Sequence, residues 1–506
     1  MNEDFTGRRK KHHTVRRALV LQNTNLGHKV VRGAGFVLSG MILRTLITLG
    51  SISILARLLP PADFGYIAMA TVVTELAAQF GNLGFAAILI QRRVITRLQM
   101  DTVFWASIVL GVVLAAAVFI LSYLSTTLFH EPIAGKILRV LCITFIVAEF
   151  SVVHGALMVR SMKFHADFMI QILSRLGSAA TAVVCALQGM GVWSLVMGSL
   201  AGPILKAALS WLVIPYTPRF RFHTGYLRQT WKTNSTYFVY SFVNYANANI
   251  DTFLIGRMLG ATALGYYQNA RSLTNEVRNR MAAPLQRVLF PAFSSLQENT
   301  SWLQHSVLRS GRLLAAIVIP AGIGLSAVAP ELVPVLYGSK WLPMIPVLQM
   351  LGISTALRAS TAVAIPLFNA KNQVGMALRY NLIGTASLLV LVWIAAPRGI
   401  DAVAVAVALS SVYGLVTFKY GLGLIGLGWK AAQSILGPPA FAAALMWLTI
   451  WAERMATKAH IDSLGASLAL YVMTGAIVYC STLSLTSRSV LIDLKAAFSR
   501  LMSQAR

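Results

Sequence analysis

The residues best suited to chemistry lie between Tyr266 and Pro291, in the stretch YYQNARSLTNEVRNRMAAPLQRVLFP. Long apolar segments flank it, so its position is that of a membrane helix, yet it holds Arg271, Glu276, Arg278, Arg280 and Arg287. One charge at the centre of a lipid-facing helix costs about 2.5–3.5 kcal/mol even on the mild insertion scale. This helix therefore cannot face lipid around its midpoint. Arg271, Asn275 and Arg278 follow i, i+4, i+7 spacing and share one face. Glu276 and Arg280 are spaced i, i+4 with the acid N-terminal, which favours a local ion pair. Arg287 lies near the helix end and can snorkel to the interface. Arg271 and Arg278 have no evident partner on their own helix. Two accounts fit: a water-filled cavity that receives an anion, or pairing with acids on other helices.

Other charges fall inside apolar segments. The bases are Arg44, Arg175, Lys206 and Arg358; the acids are fewer, Glu75, Glu149, Asp251 and Glu276. A surplus of buried cations favours an anionic ligand such as a diphosphate or an acidic sugar. Arginine adds bidentate hydrogen bonds to phosphate oxygens. For each of the four bases, snorkelling or helix pairing is an equal account. Asn244, Asn247 and Asp251 are spaced i, i+3, i+7 on one face. Amides suit sugar hydroxyls, and Asp251 suits Na⁺ or a proton; polar glue between helices is the alternative. Glu75 is a second candidate for ion coupling, or for a salt bridge to Arg44. Arg57 and Arg257 sit at outer helix ends, as a gate or as anchors. Trp193, Trp341 and Trp447 read as interface or packing aromatics.

Several chemistries are excluded. The sequence has no P-loop, no clustered metal ligands and no large loop with paired carboxylates, so no catalytic residue, metal or cofactor is expected. The energy source expected is an ion gradient, with H⁺ or Na⁺ as the coupling ion, the membrane potential, or removal of the product. Gly421, Gly423 and Gly426 match a dinucleotide-loop spacing but close an apolar span without a βαβ context, where helix packing accounts for them. Cys142, Cys185 and Cys480 are isolated in apolar segments.

The elements that must position these residues are membrane helices. The chain has 506 residues, of which 57 % are apolar and 12 % charged, which places it among polytopic membrane proteins. About fourteen apolar segments approach the roughly 20 residues that span a bilayer. The predicted fold is all-α: a basic tail over 1–33, an N-lobe of six helices over 34–215 and a basic linker over 216–232. A C-lobe of six helices over 233–425, an extra helix pair over 435–484 and a tail over 485–506 complete it. The net charge of +27 raises the question of nucleic acid. Its distribution answers otherwise, because alternate loops are basic: Arg92, Arg93 and Arg97, then Arg160 and Lys163, then Arg219, Arg221, Arg228 and Lys232. That alternation predicts both termini on the cytoplasmic side of the membrane.

An internal repeat organises the halves. Residues 55–66 read LARLLPPADFGY and residues 255–266 read IGRMLGATALGY. Arg57 falls on Arg257, Leu59 on Leu259, Gly65 on Gly265 and Tyr66 on Tyr266. Six spans separate the copies, so the halves are parallel, as suits a transporter with a site between lobes.

The string ILARLLPPADFGYIAMATVVTELAAQFGNLGFAAILIQRR resembles the start of the bacterial polysaccharide-repeat flippases, the Wzx-like family, in its colanic-acid-exporter-like branch. LVPVLYGSKWLPMIPVLQML is similar to that family's G-x-K-W stretch after the ninth span. The resemblance covers roughly 35–430. It implies two six-helix lobes around a central cavity that opens alternately inward and outward. It also implies an undecaprenyl-diphosphate-linked oligosaccharide as cargo, moved across the bacterial inner membrane for exopolysaccharide, capsule or O-antigen synthesis. A polysaccharide polymerase and export machinery would be its partners.

Other classes make different demands. A peptidoglycan-precursor flippase or multidrug exporter would share the superfamily, but a cation-drug exporter calls for an acidic, aromatic cavity. A membrane glycan polymerase or ligase calls for a large external loop with arginines. A scaffold protein has no need of unpaired mid-membrane arginines.

Overall fold

The structure is a computed structural model that describes residues 43, 45–81, 89–90, 92, 94–281, 289, 291–457 and 463–487. Helices make up nearly all of it. Unit 1 and unit 2 are two compact bodies that divide in sequence between Asn249 and Ile250.

Unit 1 contains α1 (Thr45–Leu58), α2 (Pro61–Gly81), α3 (Arg97–Phe129), α4 (Pro132–Leu141), α5 (Ile143–Glu149), α6 (Val152–Arg160), α7 (Phe164–Leu187) and α8 (Val192–Val213). The element α9 (Thr224–Met281) begins in unit 1 and ends in unit 2. Unit 2 continues with α10 (Thr300–Leu336), α11 (Met344–Leu357), α12 (Thr361–Ala370), α13 (Val374–Ala395), α14 (Ile400–Gly423), α15 (Trp429–Thr457) and α16 (Leu464–Thr486).

Ten described helical segments are long and apolar enough to cross a membrane. They fall on the expected third to sixth and ninth to fourteenth spans, so the protein is an all-α, multi-pass membrane protein. α1 is a shorter apolar helix, and α2 and α9 are not among the ten. The count of fourteen therefore rests on sequence alone.

Each unit has its own apolar core. In unit 1, Ile137, Leu138 and Leu141 of α4 pack with Leu114 and Val118 of α3 and Val196 of α8. In unit 2, Leu314 and Val318 of α10 pack with Val363 and Phe368 of α12 and Phe418 of α14. α10 and α11 approach so closely that a Cβ on Gly322 would lie 2.6 Å from the carbonyl oxygen of Gly352. Such contact through small residues is how helices associate where lipid is as apolar as leucine. α15 is fixed to α10 by Arg454, whose guanidinium meets Glu331 at 2.7 Å. α16 is tied there by the Tyr479 hydroxyl, which donates to the Ala316 carbonyl at 2.8 Å.

The two units carry matching irregularities. The first repeat copy turns at Pro60–Pro61, where the ring fixes φ and removes a donor. The second turns at Gly260, with φ 79° and ψ −176° inside α9. Met162 at φ 55° and Asn372 at φ 56° end α6 and α12, 210 residues apart. Gly191 at φ 54° and Gly399 at φ 97° precede α8 and α14, 208 residues apart. The expected fourth span is interrupted between α5 and α6, beside Glu149; the expected tenth is interrupted between α11 and α12, at Arg358. The same backbone plan is thus written twice with different residues.

Candidate functional site

Gly260 creates the site in unit 2. The backbone there enters the region that only glycine adopts freely, and the chain doubles back. Asp251 and Arg271, nine and eleven residues from the turn, therefore face each other. Arg271 Nη1 lies 3.3 Å from Asp251 Oδ1 and also donates to the Thr252 hydroxyl. The other carboxylate oxygen, Oδ2, accepts the Tyr267 hydroxyl at 2.6 Å. The backbone amide of Thr252 donates to Oδ1 at 2.8 Å. Both oxygens of Asp251 are engaged, and the side chains of Asp251 and Tyr267 are buried. The carboxylate thus has the neighbours a buried charge needs.

Arg278 lies two turns beyond Arg271 on the same face and is half-buried. The charges that act on it are Arg358 and Arg271, both of its own sign. Arg358 in turn senses Asp251, Tyr267 and Arg271. Three arginines and one carboxylate therefore share one neighbourhood, leaving two positive charges uncompensated among the described residues.

Arg358 is held where a membrane span breaks. α11 ends at Leu357 and α12 starts at Thr361. Arg358 Nε donates to the Ser411 hydroxyl of α14 at 3.4 Å, and Ser411 is 2.7 Å from the Ser354 hydroxyl. The backbone stays right-handed at Arg358 and Ser360 and tightens into an i→i−3 turn, with Ala359 N–H donating to the Ala356 carbonyl at 3.2 Å and Ser360 N–H to the Leu357 carbonyl at 3.4 Å. Ser360 makes no side-chain cap on α12. Chemically, the arrangement suits a multivalent anion held by guanidinium groups.

The sequence candidates fare differently. Arg271, Arg278 and Arg358 come together, with Asp251 as the organiser of Arg271. Asn275, on the Arg271–Arg278 face, and Glu276 are half-buried. Arg280, Asn244 and Asn247 have helical backbone, and their side chains lie outside the described residues, as do Arg44 and Arg287 altogether. Lys206, on α8 of unit 1, is exposed. Glu75 is exposed and accepts the Tyr245 hydroxyl at 3.3 Å. Arg175 donates to Thr48 at 3.1 Å. Arg57 and Arg257 are exposed beside equivalent turns. Trp341 is completely buried, packed edge-on to Tyr266 at 5.8 Å. Gly338, with φ 89°, turns the G-x-K-W stretch so that Trp341 enters the core.

Sequence reasoning missed Thr252, Tyr267, Ser354 and Ser411, and the break at Arg358. The signal for the break was the run ISTALRAST, rich in residues that bond their own backbone.

The profile of a family described as polysaccharide biosynthesis protein matches residues 54–346. The chain is 28 % identical to the lipopolysaccharide biosynthesis protein WzxC of Escherichia coli K12, over 71 % of this chain and 74 % of that protein. It is 25 % identical to the succinoglycan biosynthesis transport protein ExoT of Rhizobium meliloti, over 87 % of this chain and 90 % of the other. Its fold matches the lipid II flippase MurJ in an inward closed conformation, with TM-score 0.71 and 15 % identity, over 91 % of this chain and all of MurJ.

Proposed function

The chain belongs to the polysaccharide biosynthesis protein family, and from that premise we propose that it is a flippase for lipid-linked oligosaccharide repeat units. The cargo is undecaprenyl-diphosphate-linked, and it crosses the bacterial inner membrane by alternating access. No covalent chemistry is involved. A gradient or the consumption of flipped product drives the cycle.

The observation that carries this reading is the cluster of Arg271, Arg278 and Arg358 around the single carboxylate of Asp251. A diphosphate would supply the two negative charges that the cluster lacks. Arg278 and Arg358 are the residues that bind it, Arg278 because no acid is among the charges that act on it. Asp251 and Tyr267 orient Arg271, so Asp251 is a positioning residue here and not the coupling site. Asn275, Asn244 and Asn247 suit sugar hydroxyls, and Arg44 and Lys206 suit earlier steps of entry. Arg57 and Arg257 suit a gate at the outer ends of paired helices. Both termini are cytoplasmic in this reading.

The test is the sidedness of lipid-linked oligosaccharide in cells lacking the protein, complemented with wild type or Arg278→Ala. Accumulation on the cytoplasmic leaflet, cleared by wild type and not by Arg278→Ala, is the expected result. Repeat units that reach the outer leaflet normally but stay unpolymerised would instead assign the protein to polymerisation or scaffolding. Accumulation of peptidoglycan precursor would assign it to that related cargo.

A further inference from the structure

Unit 1 contains a half-buried acid that the anion site does not use. Glu149 ends α5 at the interruption of its span. Among the described residues it has no ion pair, and Ser107 of α3 stands beside the carboxyl without completing an ordinary hydrogen bond. Gly111 makes room for it: a Cβ there would lie 2.9 Å from Glu149 Cγ.

A polar seam leads from this carboxyl toward the basic end of the unit. Arg97, Asp101, Phe104, Ser107 and Gly111 share one face of α3. The break frees the Phe150 carbonyl, which accepts the Trp211 indole N–H at 2.9 Å. Trp211 stacks on His154 of α6, with ring centroids 4.7 Å apart. His154 Nε2 meets the Tyr216 carbonyl at 3.1 Å, and a carbonyl only accepts, so Nε2 carries the hydrogen and a neutral ring keeps Nδ1 as an acceptor. The Tyr216 hydroxyl donates to Asp101 at 2.6 Å.

Among the described residues of unit 1, five buried polar atoms complete no hydrogen bond: Ser107 Oγ, His154 Nδ1, Asp101 Oδ2 and Arg97 Nε along this seam, and Ser210 Oγ on α8. Ser107, Ser210, His154 and Asp101 are all 0 % exposed. Buried polar groups are nearly always bonded, to protein or to ordered water. Four in one seam mark a route that water can occupy. Burial and the Asp101 contact push the Tyr216 phenol, which follows α8, above its usual range, so it donates without ionising. The other charged groups on neighbouring elements are Asp63 of α2, half-buried, Glu75 of α2, Lys136 and Arg139 of α4 and Lys206 of α8, all four exposed, and Arg160 of α6, buried at the basic end.

We propose that Glu149 is a proton-binding site in unit 1 that exchanges its proton with the basic end of the unit through Ser107, His154 and Asp101. The step is a simple protonation: the carboxylate takes a proton delivered along the seam and returns it by the same path. Helical rise puts Glu149 roughly 16 Å along its span from Arg160 at the end of α6, and its Oε1 lies 3.9 Å from the place of a Cβ on Gly81 at the end of α2. That the basic end faces the cytoplasm follows from the loop charges.

Infrared pH titration of the full chain in liposomes tests this directly. The wild type should show a protonated-carboxyl C=O band that vanishes as pH rises, and Glu149→Gln should lack it. Ser107→Ala and His154→Phe should keep the band but slow its shift several-fold on transfer to D2O. A set of titrating carboxyl bands that Glu149→Gln leaves unchanged, or a Glu149 band that never titrates, overturns the site. A Glu149 band whose exchange is unslowed in both seam variants overturns the path. Neither readout involves cargo, so failure here is distinct from failure of the flippase reading.

Discussion

Arg271 and Asp251 meet at 3.3 Å across the turn made by Gly260. Nine and eleven residues separate them from that glycine, so the pair is symmetric about the fold of the hairpin. Asp251→Asn should lower thermal stability. Because Arg271 keeps 16 % exposure, the loss should fall below the about 3–5 kcal/mol typical of breaking a fully buried pair. Arg271→Gln combined with Asp251→Asn should lose less than the two single losses added, which a double-mutant cycle of unfolding measures.

Gly260→Ala should destabilise by about 1–2 kcal/mol through backbone strain alone. Nothing lies within 4 Å of a Cβ at that position, so crowding adds nothing. Gly260→Asn should recover none of the loss, since ψ −176° lies outside the left-handed well that asparagine tolerates. Thermal unfolding of the three proteins in one detergent gives the order.

Arg278→Ala should reduce oligosaccharide flipping by roughly 10–100-fold, the equivalent of about 1.5–3 kcal/mol for a hydrogen bond to a charged group. Arg278→Lys should fall between wild type and alanine, because charge persists while the planar fork is lost. Stability should change little or rise, since the substitution relieves repulsion from Arg271 and Arg358. Sidedness of labelled repeat units, compared with the melting temperature of each variant, separates the two effects.

Gly322→Ala should push α10 from α11, because its new Cβ would sit 2.6 Å from a backbone oxygen and not from a pliable side chain. About 1–3 kcal/mol of overpacking is expected. Gly375→Ala, which meets nothing within 4 Å, is the control and should melt like wild type.

Much of the fold was legible because bilayer solvation demands long apolar helices. The charged stretch around Arg278 stood out for the same reason, since lipid penalises it. The partner of Arg271 was harder to see. Asp251 looked like an ion carrier with two amides on its face, and only the reversal at Gly260 brings it to the arginine. The first repeat copy reaches its turn through Pro60–Pro61, so the glycine's role is hidden when the copies are read side by side. The breaks at Glu149 and Arg358 were not legible either. Apolar residues surround both, and hydropathy does not distinguish a continuous helix from two stacked short ones.

Those two breaks have a consequence for how such a chain arises and how it could be re-engineered. A duplication of one ancestral half would copy the gap in the helix but leave each copy free to change what stands in it. Here one copy has come to hold an acid and the other a base. The backbone is thus a socket whose occupant sets its polarity, and exchanging that single side chain is the natural first move in retuning it for cargo of the opposite sign.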